Sequence, residues 1–306
     1  MGHAIAVTEQ AASAATRSPA ARRARRLVLA AVAAGLVLVY APTMVWLFDR
    51  WTMSVWQHAH GLFIPPLVIW LVAQELKRHR DLPVAASRWG FALLVPALLL
   101  HVLDTGIQTQ LLSAFSIIVA LPGLALLFLG WPRTKVILFP LLFTAFALPI
   151  PLALTEKVHL ALRQITTDLV APALSATGVS VFAQGTTIFL VNSTIEIADA
   201  CSGFSTLYAS MAFAFLLAYF SPSARRRVLV LALAAPVAIA ANVLRMLILL
   251  HLVAWRGPEI LDTFIHPLSG MLTFAIALPL LLWAGGNRAA DSAPRAGSSI
   301  ADQAGA

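Results

Sequence analysis

Three short stretches, each beside a long apolar run, carry the residue types that acyl transfer needs. ADACSG at residues 198–203 holds Cys201, the single cysteine of the chain, followed by Ser202 and Gly203. ANVLR at residues 241–245 holds Asn242 and Arg245, and HPLSG at residues 266–270 holds His266 and Gly270. Cysteine attacks as the thiolate, and a nearby histidine or guanidinium lowers its pKa. Histidine can take the thiol proton and return it to a leaving amine. Arginine in an apolar helix is costly unless it meets an anion, and a developing oxyanion is one such partner. Gly203 lets backbone approach the thiol, and a helix starting there would aim N–H groups at it. Asn242, three residues before Arg245, shares its helix face and is placed to orient the guanidinium. On these grounds Cys201 is expected to alkylate at neutral pH faster than a cysteine of pKa about 8.5.

Each residue also has a plainer reading. A lone membrane cysteine often packs as a small apolar residue. Arg245 could extend to a membrane interface, His266 could be an ordinary loop histidine, and Asn242 could bond helix to helix. His58, His60 and His251 are the remaining histidines of metal-binding interest. The His58–His60 spacing suits a strand, no acidic cluster lies beside it, and neither a metal nor a cofactor is expected.

The elements that must position these groups follow from composition. Of 306 residues, 60% are hydrophobic and 11% charged, against roughly 45–50% and about 25% in soluble domains. The chain is therefore expected to be an all-α polytopic membrane protein. A single cysteine removes any intramolecular disulfide framework. The net charge of +8 arises from 21 basic and 13 acidic residues, and the basic ones cluster between apolar runs as membrane topology requires, not as a nucleic-acid surface. Apolar runs at about 27–48, 61–76, 89–104, 111–131, 136–153, 203–220, 228–250 and 269–284 predict eight crossings. The first continues too far for a secretory signal and reads as a retained anchor. With a cytoplasmic N-terminus, sixteen of the 21 basic residues fall inside, which predicts that both termini are cytoplasmic. Residues 1–26 then form a basic cytoplasmic tail, 27–285 the membrane domain, and 286–306 a disordered cytoplasmic tail.

An outer insertion over 154–202 has two parts. Val158, Leu162, Ile165, Leu169 and Ala173 recur at helical spacing and predict an interfacial amphipathic helix over 155–177, its apolar stripe formed by these five. Residues 179–199 alternate and are rich in Val, Ile and Thr, with turn signals at Gly185 and Asn192–Ser193, which predicts a small β-hairpin running into Cys201. Arg245 lies 17 residues into a helix expected to start at Val228, roughly 25 Å up at about 1.5 Å per residue. Cys201, Arg245 and His266 thus reach one depth at the outer membrane face.

In this order, A-x-x-C-S-G, N-x-x-R and H-x-x-x-G, each beside a predicted span, resemble the motifs of the exosortase/archaeosortase family of membrane cysteine transpeptidases. The resemblance extends over roughly residues 58–285 and includes His60–Gly61 before the second span. It implies Cys201 as nucleophile, with Arg245 and His266 as its partners and Asn242, Ser202, Gly203 and Gly270 in support. It implies secreted protein substrates with a C-terminal sorting signal of the PEP-CTERM type, namely a Pro-Glu-Pro-like motif, a hydrophobic helix and a basic tail. Cleavage would occur at the outer face of the cell inner membrane, through a thioester, with transfer to an acceptor that the sequence does not identify. Arg245 would serve either the oxyanion or the thiolate. Some relatives carry a further soluble domain associated with exopolysaccharide systems, for which no room is expected here.

Two other functions fit an eight-span chain. A transporter would use Arg245 and His266 to bind anions or relay protons, and would be expected to show intramembrane acids or repeated halves. A scaffold for polysaccharide assembly would tolerate loss of the thiol.

Overall fold

The computed structural model describes residues 19–53, 59–198 and 201–285. His58, the segment 1–18 and the segment 286–306 lie outside the described residues, as does the side chain of His266. Helix is present in each of the eight apolar segments. These helices are α1 (Pro19–Met53), α2 (Ile64–Arg78), α3 (Phe91–Ile107), α4 (Leu111–Leu129), α5 (Trp131–Phe143), α7 (Phe204–Phe220), α8 (Ala224–Arg256) and α9 (Ile265–Gly285), with α6 (Leu152–Ala176) between α5 and α7.

Five helical segments are long and apolar enough to cross a membrane: Ala30–Thr52, Ala59–Arg78, Arg88–Ile107, Leu111–Leu129 and Ala224–Arg256. Phe204–Phe220 and Leu268–Ala284 are shorter apolar helices. The run expected over 136–153 differs most from its forecast. Helix α5 stops at Phe143, a 3-10 turn covers Thr144–Ala147, and Leu148 is extended. Pro149 and Pro151 explain the break, since proline offers no N–H and pushes the residue before it out of the helical region. At the other end, α1 starts at Pro19, so the arginine-rich segment forms its first turns.

Two compact units are formed. The first combines Met1–Asp49 with His79–Leu138. Within it α3 and α4 make an antiparallel pair whose turn passes through Gln108 and Gln110, both at φ near +60°. Asp104 holds this turn by accepting from the Thr109 hydroxyl and, at 3.1 Å, from the Ser113 backbone N–H at the start of α4. Tyr40 and Ser116 share a hydrogen bond at 2.8 Å, and Thr43 donates to Gln110 at 3.0 Å, which fixes α1 against this pair.

The second unit combines Arg50–Arg78 with Phe139–Ala306 and holds all the residues of chemical interest. Helices α7 and α9 pack along the 33-residue α8, and α6 packs against α8 as well. The expected hairpin is a three-stranded antiparallel sheet of β1 (Val181–Gln184), β2 (Thr187–Leu190) and β3 (Thr194–Glu196), in that order. Both turn signals are used: Gly185, at φ +60°, lies between β1 and β2, and Asn192–Ser193 between β2 and β3. Thr187 faces Glu196 and Ile188 faces Ile195. Ile188, at 0% exposure, enters a core with Val170 and Leu174 of α6 and Met246, Leu249 and Leu250 of α8. Cys201 belongs to this same core.

Candidate active site

The sheet ends where the cysteine turn begins. The Ile197 N–H donates to Thr186 O at 3.0 Å, and the Cys201 N–H donates to Ala198 O at 2.9 Å. Asp199 and Ala200, between them, lie outside the described residues. Gly203 then adopts φ +84° and α7 starts at Phe204. A non-glycine residue would be strained at that φ. It would also collide with a neighbour, because a Cβ at position 203 falls 2.6 Å from Cγ of Asn242.

Asn242 is the hub of this packing. It is 1% exposed. Its Nδ2 donates to the carbonyl oxygen of Cys201 at 3.2 Å and to the Thr166 hydroxyl at 3.3 Å. One amide group therefore ties the backbone of Cys201 to α6 and α8. Ser202 is held from a third direction. Its hydroxyl accepts from the Phe204 N–H at 3.2 Å and lies 3.1 Å from Nδ1 of His159, whose ring stacks on Phe204.

Arg245 is one helical turn beyond Asn242. Its Nε donates to the Ser269 hydroxyl at 2.9 Å, and no ion pair among the described residues neutralises it. Ser269 follows His266 by three residues on α9, so the Arg245–Ser269 bond ties the first turns of that helix to α8. His266 stands in the first turn of α9, not in a loop ahead of it. Gly270 differs from Gly203: a Cβ there meets nothing within 4 Å among the described residues, so packing does not require glycine.

The thiol does not have the electrostatics expected from its neighbours alone. Cys201 is 8% exposed. Burial pushes its pKa above the ordinary value, and the attraction of Arg245 recovers only part of that shift. This direction is opposite to the one expected from a neighbouring guanidinium alone, because burial penalises the charged thiolate.

Beside Cys201 lies a cavity of about 160 Å³, walled by Ile195, Ala198, Met246, Leu249, Leu250 and Leu261, with Glu196 also on its lining. A second, smaller space of about 20 Å³ adjoins Arg245 and Ser269.

The structure thus brings together Cys201, Ser202, Gly203, Asn242 and Arg245, and it adds His159, Thr166 and Ser269. The sequence reading singled out the apolar stripe of α6 and so missed His159 and Thr166, which lie off it. Of that stripe, Val158 is 42%, Ile165 39% and Leu169 49% exposed, while Leu162 is buried. The buried face consists of Thr155, His159, Leu162, Thr166, Thr167, Val170 and Leu174. The spacing i, i+4, i+7, i+11 of His159, Arg163, Thr166 and Val170 was available as a signal, but a mixed face is turned inward only when another medium takes the apolar one. Ser269 lay within the quoted H-x-x-x-G stretch, and only the need of Arg245 for a partner marked it.

Histidines at other positions have local roles. His251 is engaged at both ring nitrogens, with Thr177 at 2.7 Å and Leu247 O at 2.8 Å. The ring of His60 meets that of Tyr208 edge-on at 5.2 Å. Among the described residues no group of three or more His, Cys, Asp or Glu side chains is arranged to hold a metal.

No curated protein and no solved structure matches the chain significantly. The family model described as transmembrane exosortase matches residues 51–283, a stretch that runs from the end of α1 almost to the end of α9 and takes in every residue of this site. The chain belongs to the transmembrane exosortase family.

Proposed function

We propose that this protein is a membrane-embedded cysteine endopeptidase and transpeptidase, with Cys201 as nucleophile, acting on secreted proteins that carry a C-terminal sorting signal. One observation carries the reading. The turn bearing Cys201 is clamped through its own carbonyl by Asn242, while Arg245, a turn further along the same helix, acts electrostatically on the thiol. A cysteine kept only for packing needs neither.

The chemistry balances as follows. His266 accepts the Cys201 proton as sulfur attacks the scissile carbonyl carbon, and a C–S bond forms. Arg245 stabilises the tetrahedral oxyanion, held in orientation through Ser269. The C–N bond then breaks, and His266 returns the proton to the leaving amine of the C-terminal tail. A thioester remains. An acceptor hydroxyl or amine, or water, attacks it, gives up its proton through the same base, and restores the thiol.

Eight crossings with both termini in the cytoplasm put Cys201, Arg245 and His266 at the outer face of the inner membrane. The substrate's hydrophobic helix would lie in the bilayer with its basic tail inside and its PEP-CTERM-type motif at the outer face. Helix α6 would lie in the outer interface, its exposed Val158, Ile165 and Leu169 in lipid. The Asn242 clamp also argues against a polysaccharide-assembly scaffold, which has no use for a positioned thiol. The transporter reading draws less support. Its two buried acids are occupied locally, Asp104 at the α3–α4 turn and Glu75 with Arg78 at 3.4 Å.

The test is co-expression of a tailed substrate with the wild type and with Cys201→Ala. The expected result is accumulation of the unprocessed substrate with the variant, and continued processing by it would reject the proposal.

A further inference from the structure

The cavity beside Cys201 has no role in the steps above, and its position limits what can fill it. It is about 160 Å³ in volume and Cys201 is itself on the lining. Whatever occupies it during attack is attached within one or two bonds of the carbon bonded to sulfur. On the acyl side of the scissile bond, that is the side chain of the residue whose carbonyl is attacked.

The chemistry of the walls is equally restrictive. Ile195 and Ala198 come from the strand and turn ahead of the nucleophile, Met246, Leu249 and Leu250 from α8, and Leu261 from the 3-10 turn Pro258–Asp262. Besides the thiol, the one polar residue on the lining among the described residues is Glu196, on the exposed strand edge. Leu249 and Leu250 are fully buried and fixed in the core, so the floor is rigid. A space of this size lined by aliphatic groups is comparable to cavities that take one benzene-sized guest.

We propose that this cavity is the acyl-side specificity pocket, and that it selects a mid-sized apolar side chain on the substrate residue joined to Cys201. The inference rests on Cys201 being the nucleophile. Glycine leaves the pocket unfilled. A carboxylate is disfavoured because these walls offer it no donor, and burying an unpaired charge among aliphatic groups is expensive.

The test uses the full chain in detergent and a set of short acyl-peptide chloromethyl ketones ending in Gly, Leu or Glu, with iodoacetamide as a small alkylator that needs only the thiol. All rates are read at one fixed alkaline pH, as loss of Cys201 by mass spectrometry. In the wild type the leucyl probe should exceed the glycyl probe at least about tenfold, in line with apolar pockets that discriminate by roughly tenfold or more per methylene. The glutamyl probe should fall below the leucyl one by a similar factor. Leu261→Phe and Leu261→Trp fill the pocket from the Pro258–Asp262 turn, outside the turn that carries Cys201. Each should reduce the leucyl preference to within about threefold of glycyl and leave the iodoacetamide rate within about twofold of wild type, and either variant alone suffices. Equal ketone rates in the wild type, or a preference that survives both substitutions, with Cys201 still alkylated by iodoacetamide, would overturn the pocket and leave the nucleophile standing. Failure of iodoacetamide to reach Cys201 in the wild type would overturn both.

Discussion

Asn242 reaches across 41 residues of sequence to donate to the carbonyl oxygen of Cys201 at 3.2 Å, and it fills the space that a side chain at Gly203 would need. The two residues form a lock and its recess. Removing either is expected to shift the turn that carries Cys201.

The first prediction follows from that pairing. Asn242→Ala leaves the Cys201 carbonyl without its donor in a buried site, at a cost of about 1–3 kcal/mol. Gly203→Ala adds strain at φ +84° and a contact at 2.6 Å. Both variants should melt several degrees lower in detergent and process substrate at least tenfold more slowly. Gly270→Ala, where a Cβ meets nothing, should change neither quantity measurably. Loss of activity in Gly270→Ala with normal activity in Gly203→Ala would reverse the assignment.

The second concerns the state of the thiol. Burial raises the Cys201 pKa and Arg245 opposes that rise, so the thiolate fraction at neutral pH is smaller than that of a free cysteine of pKa about 8.5. The alkylation rate with iodoacetamide should therefore keep rising past the pH at which a free cysteine levels off. Arg245→Ala removes the opposing attraction and should move the midpoint further up. A midpoint below that of a free cysteine, or a downward movement in Arg245→Ala, would contradict the balance described here.

A third prediction separates transition-state from ground-state roles. Arg245→Lys keeps the charge, but loses the planar fork that donates through Nε to Ser269. Turnover should fall by about 10²–10³ while the tailed substrate still co-purifies. Ser269→Ala removes a hydrogen bond to a charged group, about 1.5–3 kcal/mol, and should lower turnover by about tenfold or more with little effect on capture. Near-normal cleavage by Arg245→Lys would count against an oxyanion role, and an anion-binding transporter would show that tolerance.

The fourth is topological. Single cysteines introduced in a Cys201→Ser background at positions 186 and 262 should label with an impermeant maleimide in intact cells, and those at 78 and 226 should label only after permeabilisation. The opposite pattern would invert the chain and move the site to the cytoplasmic side.

Much of this protein was readable as a string. The apolar runs marked helix in all eight segments, and alternation at 179–199 with Gly185 and Asn192–Ser193 marked strands and both turns. These are local effects, governed by backbone preference and by the length of an apolar stretch. The expectation that Cys201, Arg245 and His266 reach one depth came from helix rise, which turns residue number into height, and the structure does bring Asn242 and Arg245 to the Cys201 turn. What periodicity does not record is which medium takes an apolar stripe. For α6, Val158, Ile165 and Leu169 are left exposed and His159 and Thr166 are turned in, and only packing against α8 and the sheet determined that. The partners of the site, Thr166 to Asn242 across 76 residues and Ser269 to Arg245 across 24, depend on which helices meet. The direction in which the Cys201 pKa moves depends on packing in the same way. The sequence shows which charges are near in number, while the desolvation that outweighs Arg245 comes from Met246, Leu249, Ile197 and their neighbours closing around the sulfur.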